Sequence, residues 1–117
     1  METLREMQSI FALNVSKLIG YIYSHGYECT FGDAFRSPEA AKIEAEEGKG
    51  IVRSLHCERL AVDLNIFRDG TYLENGSDFK DIGEYWKSLN TSNRWGGDFI
   101  TRPDGNHFSM TDGSGRA

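Results

Sequence analysis

Two short stretches concentrate the residues able to do hydrolytic chemistry. One is Ser54-Leu55-His56-Cys57-Glu58-Arg59-Leu60-Ala61-Val62-Asp63; the other is Asp104-Gly105-Asn106-His107. Together they bring imidazoles, carboxylates and a hydroxyl into turn-rich segments. Catalytic zinc is commonly held by three such side chains, leaving a fourth position for water. His56, Asp63 and His107 are expected to be those ligands. Each histidine alone has a plainer reading as a structural residue, and Asp63 could orient a histidine rather than bind the ion. The plainer reading must hold twice, beside an acid on an open face, so ligation is favoured. Cys57 follows a proposed ligand directly. It reads as a small packing residue, with ligation as the rival.

Local patterning explains how these groups could be presented. Leu60, Val62, Leu64 and Ile66 point one way along a strand, and Ala61, Asp63 and Asn65 the other. An acid on the open face of an apolar strand reaches a ligand without being buried among leucines. His56 precedes Asp63 by an odd spacing, so a straight strand would send them to opposite faces. The chain must bend, and Cys57-Glu58-Arg59 is the expected bend. Pro103-Asp104-Gly105-Asn106 reads as a turn delivering His107-Phe108-Ser109-Met110 as a strand, with His107 and Ser109 on one face. On local grounds alone, Asp104 is a turn-forming aspartate.

Ser54-x-His56, Ala61-x-Asp63, Trp95-Gly96-Gly97-Asp98-Phe99 and Asp104-x-x-His107-Phe108 together resemble the zinc peptidases of the D-alanyl-D-alanine carboxypeptidase and L-alanyl-D-glutamate endopeptidase group, and most of all its short phage endolysins. The resemblance runs from about Phe31 to Met110. It departs at Arg59, where many members carry glycine, and at Ser109, where many carry glutamate. It implies an α+β fold shared with the hedgehog signalling domain: a central, mostly antiparallel sheet with flanking helices. It also implies Zn2+ as cofactor, Asp104 as the catalytic base, and Arg36 and Ser54 as holders of a peptidoglycan stem peptide. Arginine's planar fork suits a carboxylate; its plainer reading is a surface residue paired with Glu39 or a nearby acid. Ser54 could instead satisfy backbone near the bend. The implied activity is hydrolysis of stem peptides by a phage or prophage endolysin, with the L-alanyl-D-glutamate bond preferred and D-alanyl-D-alanine carboxypeptidase as alternative. A non-catalytic zinc domain that binds cell wall or protein is the rival of another class.

The 117 residues fit one domain, 1–117, of ordinary apolar content. A net charge of −5 argues mildly against nucleic acid, which wants a basic face. No apolar run approaches the ~20 residues of a membrane span, and no signal peptide is evident. The expectation is a monomer made in the bacterial cytoplasm that acts on the wall after membrane permeabilisation. Cys29 and Cys57 form no Cys-x-x-Cys pattern and are expected to be free thiols.

The elements that must position the chemistry are legible. Leu4, Met7, Phe11, Val15, Leu18 and Ile22 form one stripe of a helix from Thr3 to about Ser24, stopped by Gly26; His25 reads as a favourable partner of its dipole. Tyr27 to Ala34 is an expected strand. Ser37-Pro38 is expected to open a short helix from Glu39 to about Glu47, ended by Gly48-Lys49-Gly50. Asp69-Gly70 marks a hairpin. Ser77 or Asp78 is the expected cap of a helix that buries Phe79, Ile82, Trp86 and Leu89. Trp95 to Phe99 is expected as a loop, with Trp95 part core and part cleft wall and Asp98 a turn or supporting acid. Residues from Asp112 to the end should form a loose tail.

Overall fold

Thr3 opens the first helix. Its hydroxyl accepts the Glu6 N–H at 3.1 Å and the Glu6 carboxylate accepts the Thr3 N–H at 3.1 Å, so two otherwise orphaned donors are satisfied at one end. The computed structural model describes residues 2–35, 37, 39, 42–43, 46 and 55–113. Within them helix α1 spans Leu4–Ser24, and Gly26 ends it at φ +85°. Its buried stripe is Phe11, Asn14, Leu18 and Ile22, while Leu4 is exposed. The expected stripe therefore holds from Met7 to Ile22, with Leu4 left exposed at its start.

Five strands follow: β1 (Glu28–Phe31), β2 (Ala61–Arg68), β3 (Thr71–Tyr72), β4 (Asn93–Trp95) and β5 (His107–Met110). Their order is β1-β2-β5-β4, with β3 paired to β2, and every pairing is antiparallel. A further helix, here α2 (Lys80–Ser88), follows a 3-10 turn over Gly76–Phe79. The class is α+β, as the sequence implies. The expected alternation along β2 is present: Val62, Leu64 and Ile66 are buried, and Asp63 and Asn65 are half-buried on the other face. The β2–β3 hairpin turns through Asp69 at φ +52° and Gly70 at φ +77°, the left-handed pair that a tight hairpin needs.

The core lies between the helices and one face of the sheet. Trp86 of α2 packs edge-on against Phe11 of α1 (centroids 5.6 Å) and Phe108 of β5 (6.0 Å). Its indole N–H is shared by the carbonyls of Arg94 at 2.9 Å and Ser109 at 3.1 Å, which pins α2 to the β4–β5 edge.

Some boundaries differ from expectation. The β1 ladder ends at Phe31, before Ala34. Hydrogen bonding continues in an offset register, with Gly32 N–H donating to Asp63 O at 2.8 Å and Asp63 N–H to Asp33 O at 2.7 Å. Ser77 and Asp78 lie inside the 3-10 turn rather than at a cap, and Asn75 precedes it without a side-chain bond. Asn93–Trp95 is a strand and Gly96–Asp98 a 3-10 turn, where a loop was expected. The helix expected over 39–47 and the end of the tail fall largely outside the described residues.

Candidate metal centre

Register creates the centre. In the β2–β5 ladder Asp63 stands directly opposite His107, and Val62 opposite Phe108. Opposed residues of an antiparallel pair share a face. Val62 and Phe108 thus face the core, and Asp63 and His107 share the other side. Asp63 Oδ1 lies 3.2 Å from His107 Nδ1. His56 arrives from the 3-10 turn Leu55–Glu58. Arg59 at φ +57° then reverses the chain into β2, so the expected bend is real and occupies a left-handed position that favours glycine. His56 Nε2 ends 3.4 Å from the same Asp63 oxygen.

The ligand-type atoms of His56, Asp63 and His107 all lie within 4.8 Å of one another, so the group could hold a metal ion. His56 and His107 are 3% and 8% exposed. The Ala34 carbonyl sits 3.2 Å from His56 Nδ1. It accepts a hydrogen bond from Nδ1–H there, which leaves the Nε2 lone pair aimed at the cluster. The stretch after β1 therefore does two jobs, bonding the backbone of Asp63 and orienting the ring of His56. His107 Nε2 is buried with no hydrogen-bond partner among the described residues, and the Phe99 ring lies 5.7 Å from the imidazole.

Burial alone would raise the Asp63 carboxyl. Hydrogen bonds from His107 and His56, and the positive charge these rings carry when protonated, outweigh it and hold the group at about 2. Asp63 is consequently a carboxylate at any ordinary pH. Two imidazoles and one ionised carboxylate match the donor set of catalytic zinc sites. The cluster includes neither cysteine: Cys57 Sγ points to the Ser37 carbonyl at 3.9 Å.

A family model described as D-alanyl-D-alanine carboxypeptidase matches residues 47–110, more than half of the sequence and the stretch that contains all three of these side chains. The chain belongs to this family. Two solved structures share its fold. The L-Ala D-Glu endopeptidase ChiX of Serratia marcescens superposes with a TM-score of 0.72 at 20% identity, over 86% of this chain and 77% of that one. The vancomycin resistance D,D-pentapeptidase VanY from a VanB-type resistance cassette, a variant solved in complex with Zn(II), superposes at 0.58 with 16% identity, over 86% and 70%. Among curated proteins no sequence match reaches significance.

The other residues singled out in the sequence are distributed as follows. Asp104 lies on the exposed turn before β5, outside the three-residue cluster, and lines a cleft with Tyr72, Glu74 and Asn106. Its carboxylate accepts the Asn106 N–H at 3.2 Å, the local turn bond its sequence suggests. Its N–H donates to Gly96 O at 2.9 Å, and its carbonyl accepts the His107 N–H at 3.1 Å. Arg36 and Ser54 lie outside the described residues. Asp98 pairs with Lys87 at 2.7 Å. Trp95 is buried and donates its indole N–H to Gly105 O at 2.8 Å, so it supports the turn from beneath. His25 belongs to the end of α1, stacked on Tyr21 at 3.7 Å with Nδ1 2.9 Å from its carbonyl.

Sequence reasoning missed Asn106 and Tyr72. The Asn106 amide donates to Tyr72 Oη at 2.9 Å and Asn65 Oδ1 at 3.3 Å, tying the Asp104 turn to β2 and β3. An asparagine between a glycine and a histidine carries no local mark of such a role.

Proposed function

We propose that this chain is a zinc-dependent peptidase that hydrolyses stem peptides of peptidoglycan. The observation that carries the reading is the convergence of His56 Nε2 and His107 Nδ1 on Asp63 Oδ1. In this reading His56, Asp63 and His107 hold the ion. Zinc would supply Lewis-acid activation of water and of the scissile carbonyl. Asp104, three residues before His107 on a turn held at both ends by backbone hydrogen bonds, takes the proton from the attacking water and returns it to the leaving amine. Ala34 O keeps His56 in the tautomer that ligates, and Asp63 needs no deprotonation before binding. Arg36 and Ser54 are assigned, on the family resemblance, to the substrate's carboxylate and backbone.

The preferred bond is L-alanyl-D-glutamate, supported by the fold likeness to an endopeptidase of that specificity. The family description favours D-alanyl-D-alanine carboxypeptidase as second reading. The role expected from the sequence, a phage or prophage endolysin reaching the wall after membrane permeabilisation, is retained as part of the proposal. A purely structural zinc site usually has four protein ligands; among the described residues the cluster offers three, which supports the catalytic reading.

The test is mass spectrometry of purified bacterial wall after digestion, with and without chelator. New L-alanine carboxyl and D-glutamate amino ends that vanish with chelator establish the endopeptidase. Released D-alanine establishes the carboxypeptidase. Asp104→Ala is expected to keep zinc and fold and lose hydrolysis; full activity in that variant removes Asp104 from the chemistry.

A further inference from the structure

Four buried side-chain polar atoms have no hydrogen-bond partner among the described residues: Asn14 Nδ2, Asn93 Oδ1, His107 Nε2 and Ser109 Oγ. An unpaired polar group is costly to bury, so each calls for a reason. Two of them belong together. His107 and Ser109 stand two residues apart on β5, hence on one face of the sheet, and both are buried, Ser109 completely. This is the face that carries Asp63. Along a strand their Cβ atoms are about 6.7 Å apart, a gap that an imidazole and a hydroxyl close directly or through one water. The other two atoms belong to the core side: Asn14 to the buried stripe of α1, and Asn93 to the β4 position opposite Met110.

The cross-strand neighbours of Ser109 offer its hydroxyl nothing. Ala61 on β2 and Arg94 on β4 flank it in register. Ala61 contributes a methyl group, and the Arg94 guanidinium donates to the carbonyls of Thr91 and Asn93, each at 3.0 Å. The serine is nevertheless fixed in place, because its own carbonyl accepts the Trp86 indole N–H at 3.1 Å.

The two imidazoles of the centre need different partners. A carbonyl only accepts, so Ala34 O holds His56 in a single tautomer. His107 has to change. In the metal-free chain a proton on Nδ1 suits its contact with Asp63 Oδ1 at 3.2 Å, and Nε2 is then an acceptor. With Nδ1 on an ion, the proton resides on Nε2, which becomes a donor. A carbonyl or carboxylate serves only the second state, whereas a hydroxyl donates in the first and accepts in the second.

Resting on the zinc reading above, we infer that Ser109 is the positioning residue of His107. Its hydroxyl pairs with Nε2 and keeps the ring turned so that Nδ1 meets the ion.

The experiment compares the full chain with Ser109→Ala, which removes the hydroxyl and nothing else. Zinc affinity is read by competition with a chromophoric chelator, and the imidazole N–H proton of His107 by NMR of the zinc-loaded protein. The thermal midpoint of the metal-free protein checks that the variant folds. Loss of this partner should weaken zinc binding by on the order of tenfold and move the His107 Nε2–H resonance upfield as its hydrogen bond is lost. A hydroxyl that is merely buried predicts the opposite, since alanine would then leave both readouts where they were. Unchanged zinc affinity, or a His107 resonance that does not move, overturns the role of Ser109 and leaves the metal centre standing. Failure of the parent to bind zinc overturns the metal centre, and the role of Ser109 with it.

Discussion

Gly96 offers a sharp test of how the centre is held together. It lies on no ligand, yet a Cβ there would meet Asp104 O at 2.0 Å, Asp104 C at 3.0 Å and His107 Cβ at 2.8 Å. Real Cβ atoms essentially never approach within 3.0 Å. Gly96→Ala must therefore move the Asp104 carbonyl from 2.0 to at least 3.0 Å, a shift of about 1 Å. That carbonyl accepts the His107 N–H, and Gly96 O accepts the Asp104 N–H, so the movement reaches the proposed base and one ligand together. Overpacking of this size costs about 1–3 kcal/mol, and a 1 Å misplacement of reacting groups costs about 100-fold in rate. The assay is urea denaturation beside hydrolysis of purified wall by the zinc-loaded protein. Gly20→Ala is the control. Gly20 lies exposed in α1 with nothing within 4 Å of its missing Cβ, so alanine should stabilise by about 0.5–1 kcal/mol. Hydrolysis and stability of Gly96→Ala equal to the parent would refute the claim that close backbone contact sets the position of Asp104 and His107.

Acid should expel the ion by protonating imidazole, since Asp63 stays ionised down to about 2. Release between pH 7 and 4, followed with a chromophoric chelator, should take up about two protons per ion; uptake of fewer than about one would remove a histidine from the site. In the metal-free protein the sign differs. The depressed Asp63 value contributes stability above about pH 4, the ordinary carboxyl range, and that contribution is lost as pH falls through about 2, which denaturant midpoints across that window would record. Arg59 combines φ +57° with a guanidinium 4.0 Å from the centre of the Phe35 ring. Arg59→Ala should destabilise by about 0.5–1 kcal/mol through the lost ring contact, and Arg59→Gly should recover about 1 kcal/mol relative to alanine; equal midpoints for the two variants would show that the bend is unstrained. Trp86→Phe leaves the carbonyls of Arg94 and Ser109 without their shared donor and should cost about 2 kcal/mol, with no change in zinc content by metal analysis.

What the sequence determined by itself is what short-range rules encode. The alternation from Leu60 to Ile66, the α1 stripe through Phe11, Leu18 and Ile22, and the left-handed Asp69-Gly70 hairpin each follow from side-chain period or backbone sterics. So does the odd spacing that demanded a bend between His56 and Asp63. The strand Asn93–Trp95 was illegible because three residues carry too little periodicity to separate from a loop, and its pairing with β5 makes it a strand. Tertiary structure alone decided the rest. Asp63 meets His107 through the register of strands far apart in the chain, and His56 is aimed by a carbonyl of Ala34. Glu74 and Asp104, far apart in the chain, come to line one cleft. Sequence names the groups with the right chemistry; long-range pairing and close packing set the few ångströms between them on which that chemistry depends.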